Sequence, residues 1–472
     1  MTLSIPFDNS YARLPEQFYT RMKPMPVKAP QMLRFNDSLA AELGITPGKP
    51  DEMAQIFAGN RVPEGADPLA QVYAGHQFGG FSPQLGDGRA NLLGEVTPNG
   101  TRYDIQLKGS GPTPYSRMGD GRAWVGPVIR EYILSEAMHG LNIPTSRALA
   151  AVITGEDILR EQGRLPGAIL TRVAASHIRV GTFQYFAARR DREGLKALFD
   201  YTVTRHYPDV EDPVELLHAV IDRQIALITK WMSVGFIHGV MNTDNTTLSG
   251  ETIDYGPCAF LDVYHPDTVF SSIDSHGRYA YANQANVIVW NMAQFATSLV
   301  PLMPDQDAAV ESFTHIIHAM GPKLEAAWLQ TFGRKIGIAQ AKADDLDLVI
   351  DLLQRMAEGR ADFTNTFRAL IDGKARDQFL QPDMFDAWEA DWRTRIASEA
   401  DPQATMRAEN PIFIPRNHRV EEAIASAVAG DLAPFHRVVD VLSHPFTDQP
   451  DAEDLRRPPL PAEVVQQTFC GT

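Results

Sequence analysis

The sequence predicts an α+β protein with strands gathered in its front portion and helices in its back portion. Two observations carry this. Between residues 66 and 178, short alternating segments are separated by a dense set of glycines, the texture of strands joined by tight turns. After Arg179, apolar residues recur three and four positions apart over long stretches, the period of helices with one face in a core. With 472 residues, 44% of them hydrophobic, the chain has room for one large or two medium domains.

The elements follow in order. The first sixty or so residues are rich in proline and single aromatics, and are expected to form an irregular arm with one short helix near 37–43. Segments 90–96 and 103–107 alternate like strands and are joined by a Pro98-Asn99-Gly100 turn. A helix is expected over 127–141, where Val128, Ile129, Tyr132, Ile133 and Ala137 form one apolar stripe. Segments 148–153 and 168–173 are strand candidates. A long helix is expected over 216–234, with Gly235 suited to the position after its end. Further helices are expected over 286–303, 308–332, 344–370 and 420–429, and no repeat of solenoid length occurs.

Composition narrows the function. The formal net charge of −16 argues against a nucleic-acid surface, which needs clustered Lys and Arg, so any phosphate site must be local. Two cysteines, Cys258 and Cys470, exclude a disulfide framework and point to a reducing compartment. No apolar run approaches the roughly 18–20 residues that span a bilayer. The start, MTLSIPFDNSYARLPEQFY, lacks the basic region and apolar run of a secretory signal, so a cytoplasmic protein without membrane or nucleic-acid partners is expected.

Four groups of residues carry chemistry. Residues 84–89 read Q-L-G-D-G-R between two strands, where Gly86 and Gly88 would let backbone N–H groups approach an anion; a tight hairpin uses the same residues. The tetrapeptide recurs as Gly119-Asp120-Gly121-Arg122, and its two Arg residues, Arg89 and Arg122, each suit a polyphosphate. Lys108 ends the strand after the glycine loop, the order in which kinases place a Lys that a helix acid orients. Glu131 and Glu136 are both candidates for that acid, and periodicity does not choose between them; the plain alternative is a solvated lysine. Arg172 and Arg179 suit a phosphate clamp, or form a surface salt-bridge pair.

The fourth group is the loop HGVMNTDNTTLSGETIDYGPCAFLD, residues 238–262. It opens as a kinase catalytic loop does, yet Val240 stands where a kinase keeps its catalytic Asp. Asn245 and Asp254, separated by a short hairpin, can converge oxygen ligands on one hard divalent cation. Asp244 is then free to accept a proton from an attacking hydroxyl. The plain alternative is an Asp-Asn turn followed by a capping Asp. Cys258, beside Ala259-Phe260-Leu261, reads as core, and no His or Cys spacing supports a zinc site.

The stretches VYAGHQFGGFSPQLGDGRA, DIQLKGSGPTPYSRMGDGRA, HGVMNTDN, IDYGPCAFLD and NPIFIPRNHRVEEAI closely resemble the selenoprotein O family, and the likeness covers nearly the whole chain. The resemblance implies a protein-kinase-like bilobal fold: an N-terminal arm over 1–65, a strand-rich N-lobe over 66–178, a helical C-lobe over 179–340, and a C-terminal helical extension and tail over 341–472. It implies transfer of AMP from ATP to protein hydroxyls, self-modification included, with release of pyrophosphate; UMP transfer from UTP is also attributed to bacterial members. The nucleotide would be bound by Gly86, Gly88, Arg89, Lys108, Asp120, Gly121, Arg172 and Arg179, with Glu131 paired to Lys108. Asn245 and Asp254 would bind Mg²⁺ or Mn²⁺, and Asp244 would be the base. Cys470 stands third from the C-terminus, where the family carries selenocysteine or cysteine, but Gly471-Thr472 follows where Ser-Ser is frequent. The alternatives are a conventional kinase transferring the γ-phosphate and a silent nucleotide-binding scaffold. The intact Lys108, Asn245 and Asp254 argue against the scaffold.

Overall fold

The front portion builds one antiparallel sheet, and the computed structural model, which describes residues 2–469, fixes its membership. In chain order the strands are β1 (Tyr19–Arg21), β2 (Gln31–Phe35), β3 (Leu69–Gln71), β4 (Gly75–Gln77), β5 (Gly80–Ser82), β6 (Ala90–Val96), β7 (Tyr103–Lys108), β8 (Ala123–Trp124), β9 (Arg147–Arg160) and β10 (Gly163–Ala174). Their spatial order is β1-β3-β6-β7-β10-β9-β2, with β8 paired to β10, while β4 and β5 form a separate two-stranded ribbon. Cys470 lies outside the described residues.

The first sixty residues are more ordered than their composition suggests. They carry β1 and β2, which close opposite edges of the sheet, and two helices, α1 (Asp37–Glu42) and α2 (Pro50–Phe57). The prolines that read as irregular sit between these elements or at a helix start, as Pro50 does in α2.

Strand β7 alternates as a two-faced strand must. Ile105 and Leu107 pack with Leu39, Ile56 and Phe57 of α1 and α2, whereas Asp104, Gln106 and Lys108 point to the opposite side. That side is covered by α3 (Val125–Gly140), which lies on β9 and β10. The expected stripe on α3 is real, but the helix is buried almost all round. Helices 417–428 and 433–442 return from the far end of the chain and cover its outer face.

The back portion opens with α4 (Val180–Ala188), α5 (Arg192–His206), α6 (Pro213–Ser233) and α7 (Gln284–Leu299). Asp212 caps α6 by accepting from the N–H groups of Val214 and Glu215, and Gly235 beyond its end has φ +75°. Two expected helices are each split. The run over 308–332 breaks at Ala319, between helices Gln306–His318 and Met320–Lys335, where Pro322 sits in the first turn of the new helix. The run over 344–370 breaks after Gly359, and Asp362 caps the next helix by accepting from Asn365 N–H.

Lys335 is buried at the end of its helix, donating to Asn410 Oδ1 at 2.8 Å and lying 4.2 Å from the Phe367 ring centre. Burial pulls its ammonium down to about 7 from 10.5. Between these values the unfolded chain binds more protons than the native one, so this group makes stability rise with pH. Denaturant titrations should find the unfolding free energy of the wild type, minus that of Lys335→Met, rising by on the order of 3 kcal/mol from pH 7 to pH 10.

Candidate active site

The loop with Val240 in place of a kinase aspartate begins and ends on paired strands. β11 (Phe236–Ile237) and β12 (Ala259–Phe260) pair antiparallel, so both ends of the loop are anchored together. His238 is fully buried, stacked on Trp231 at 5.3 Å, and its Nε2 is bonded to Ile253 O at 2.9 Å. Burial depresses its basicity, and it pins the two arms of the loop rather than facing the cleft. Asn245 donates from Nδ2 to Val240 O at 2.9 Å, which among the described residues leaves its amide oxygen as the uncommitted end.

Asp254 sits in the left-handed region at φ +61° and gathers three cations. Its Oδ1 accepts from Lys108 Nζ at 2.7 Å and Arg172 Nη1 at 2.6 Å; its Oδ2 accepts from Arg179 Nη1 at 3.1 Å. Burial alone would raise this carboxyl, but Lys108, Arg172 and Arg179 together hold it well below the usual carboxylate range. Lys108 also donates to Glu131 Oε2 at 2.6 Å. Glu136, the other candidate for the helix acid, instead accepts from Arg147 and from the N–H of Ala148. Arg172 and Arg179 are not a surface pair: they are 2% and 1% exposed. Arg172 also donates to Gln106 Oε1 at 2.6 Å, and Arg179 donates to Asp244 O at 2.7 Å with its guanidinium 4.4 Å over the Tyr73 ring.

Asp244 lies beside this cluster. Burial raises its carboxyl to about 6 against the opposing pull of Arg179. Its Oδ2 accepts from Gln77 Nε2 at 3.1 Å, and its Oδ1 is buried with no hydrogen-bond partner among the described residues. A carboxylate with a raised proton affinity beside a cluster of fixed cations suits proton uptake near neutral pH.

The two Gly-Asp-Gly-Arg loops face each other across the turn at 113–116. Gly86 has φ +144°, and a Cβ there would meet the Tyr115 ring at 2.5 Å. Gly121 has φ +65° and would place a Cβ 2.2 Å from the Gly111 backbone. Thr113 Oγ1 donates to Asp87 O at 2.7 Å, and Ser116 Oγ donates to Gly88 O, locking the first loop. Asp120 is engaged by Arg160 through two bonds of 2.8 and 3.0 Å at the exposed lip, while Arg122 donates to the carbonyls of Met25 and Pro26.

One cleft of about 1300 Å³ is lined by all twelve of the residues singled out from sequence: Gly86, Gly88, Arg89, Lys108, Asp120, Gly121, Glu131, Arg172, Arg179, Asp244, Asn245 and Asp254. Sequence reasoning missed Tyr73, Gln77, Asn242 and Arg160, which line it too. Gln77 was within reach, since its stretch AGHQFGGFS is as unusual as the glycine loop, but a Gln between glycines carries no chemical signature of its own. Cys258 is fully buried. Among the described residues, no group of three or more His, Cys, Asp or Glu is placed to hold a metal, and no helix is long and apolar enough to cross a membrane.

Comparison with known proteins adds a second line of argument. The family model described as protein adenylyltransferase SelO matches residues 1–443. A relative from a Ruegeria species, the protein nucleotidyltransferase YdiU, is 63% identical over 473 residues that cover all of both chains. Proteins of the same name from Ruegeria pomeroyi and Roseobacter denitrificans are each 62% identical, again over the full length of both chains.

Proposed function

The chain belongs to the protein adenylyltransferase SelO family, and from that premise we propose that its cleft holds ATP with the α-phosphorus toward Asp244. The observation that carries this reading is the convergence of Lys108, Arg172 and Arg179 on one buried carboxylate beside Asp244. Cations fixed before substrate arrives need no reorganisation to stabilise the charge that develops on leaving pyrophosphate. A Ser, Thr or Tyr hydroxyl of a protein attacks the α-phosphorus in line. The new bond joins that oxygen to phosphorus, the bond to the β-phosphate bridge breaks, and Asp244 takes the hydroxyl proton. Gly86, Gly88, Arg89, Asp120 and Gly121 bound the nucleotide from the sheet side, and Glu131 holds Lys108 in place.

In this reading the strand-rich residues 66–178 and the helical residues 179–340 are the two lobes of a protein-kinase-like fold. Residues 1–65 form an arm that completes the first lobe, and 341–472 form a C-terminal helical extension and tail. UTP serves as an alternative donor of UMP, and the protein itself is one acceptor. The protein works in the cytoplasm without nucleic-acid or membrane partners. The donor set fits a hard divalent cation, Mg²⁺ or Mn²⁺: among the described residues the Asn245 amide oxygen is uncommitted, and Asp254 is a carboxylate held ionised by its neighbours. Asn245 and Asp254 would hold the ion, which when bound supplies charge neutralisation at the phosphates.

The reading is tested with ATP labelled at the α or the γ position and a mixture of proteins. Label should enter protein from the α position. Label from the γ position alone would make the enzyme an ordinary kinase, and ATP-dependent thermal stabilisation without labelled product would make it a scaffold.

A further inference from the structure

The β4–β5 ribbon belongs to neither the large sheet nor the helical portion, yet it is bound tightly to the loop that carries Asp244. Its docking uses mostly backbone. His76 N–H donates to Thr243 Oγ1 at 2.7 Å and Phe78 N–H donates to Asn242 Oδ1 at 3.1 Å. Thr243 donates in turn to Gln184 Oε1 on α4, and the Gln184 amide is bonded to His76 Nδ1 at 2.9 Å, closing a ring of contacts. Gln77 alternates to the other face of β4, so its side chain takes no part in this ring. It reaches instead into the cleft and donates to Asp244 Oδ2 at 3.1 Å.

The same strand closes the other side of that carboxylate. A Cβ at Gly75 would fall 2.6 Å from Asp244 Oδ1 and 2.9 Å from its Cβ, so the glycine backbone lies directly against the acid. Oδ1 is sealed, and the residue as a whole is only 7% exposed. Only one oxygen is then left for an incoming hydroxyl, and it is the one Gln77 holds.

We infer that Gln77 is a positioning residue for nucleotidyl transfer. It fixes the Asp244 carboxylate in one rotamer, with Gly75 as the backstop, so that Oδ2 faces the acceptor hydroxyl. This rests on the assignment of Asp244 as base. The plain alternative is a polar side chain that fills space at the cleft wall. The two differ in what an isostere does: a Glu fills the same volume but cannot donate to a carboxylate.

The test is steady-state transfer by Gln77→Ala, Gln77→Glu and Gly75→Ala, with Asp244→Ala measured beside them. Both Gln77 variants should lower kcat roughly tenfold to a hundredfold, the worth of a hydrogen bond to a charged group, with the KM for ATP and the thermal shift on adding ATP unchanged. Gln77→Glu should be no milder than Gln77→Ala, and Gly75→Ala should lower kcat in the same way by displacing the acid. Wild-type kcat in Gln77→Ala, rescue by Gln77→Glu, or a loss that appears in the KM for ATP would each overturn the inference. If Asp244→Ala is inactive while Gln77→Ala is not, only the role of Gln77 fails. If Asp244→Ala keeps full turnover, the base assignment fails and this inference goes with it.

Discussion

Asp244→Ala is expected to lower transfer of the α-labelled group by about 10²- to 10⁴-fold, the usual contribution of a positioned general base. ATP binding should survive, because the cations proposed to meet the phosphates are held by Asp254 and Glu131 and not by the Asp244 side chain. A second outcome separates this loss from unfolding. The Asp244 carboxyl is buried, its proton affinity is raised, and one oxygen has no partner among the described residues, so the native state gains little by keeping it. The variant should therefore melt no lower than the wild type. An active variant, or one that is inactive because it unfolds, would each remove Asp244 from the role given to it.

Asp254→Ala is expected to act on stability as well as on turnover. It strips the shared carboxylate from Lys108, Arg172 and Arg179, two of them almost wholly buried. Removing one partner of a buried ion pair typically costs about 3–5 kcal/mol, because the remaining charge is left uncompensated. Chemical denaturation should reveal a loss of that order, and Asp254→Asn, which keeps the shape and an acceptor oxygen, should lose less. Pyrophosphate added without metal should stabilise Asp254→Ala more than it stabilises the wild type, since an anion then meets cations that no longer have a competitor. Equal stabilisation of the two proteins would mean that these three side chains do not form the phosphate subsite.

The parts of the site that could be read from sequence are those in which residue type and chain order both carry chemistry. A Gly-rich loop, a strand-end Lys, a helix acid and an Asn…Asp pair appear in one order, and their positions line one cleft. The choice between Glu131 and Glu136 was not legible from period alone. Both lie on one buried helix, and only the strand opposite each decides which meets Lys108 and which meets Arg147. Burial of Arg172 and Arg179 was equally hidden, because a buried and a solvated arginine look alike until the carboxylate that binds them is located. In the fold, the strands β1 and β2 escaped notice because they are short and flanked by proline. They are held by pairing with distant β3 and β9, a long-range effect that local pattern does not encode. The helix breaks at Ala319 and Gly359 were signalled locally, by Pro322 and by the capping Asp362, but the continuing apolar period outweighed those signals.

The cover that helices 417–428 and 433–442 place on α3 has a consequence for synthesis. A ribosome releases Lys108, Glu131 and Asp254 long before it reaches these helices, so a nascent chain can hold every residue of the cation cluster while the outer face of α3 is bare. Arg130 on that helix still lacks Glu421, its partner from the late segment. Tyr132, which packs edge-on against Phe435, is then without that cover as the chain grows. The packing of α3 is thus completed only late in translation, and a shortened chain that keeps the whole cluster is expected to be captured by chaperones and to lack activity.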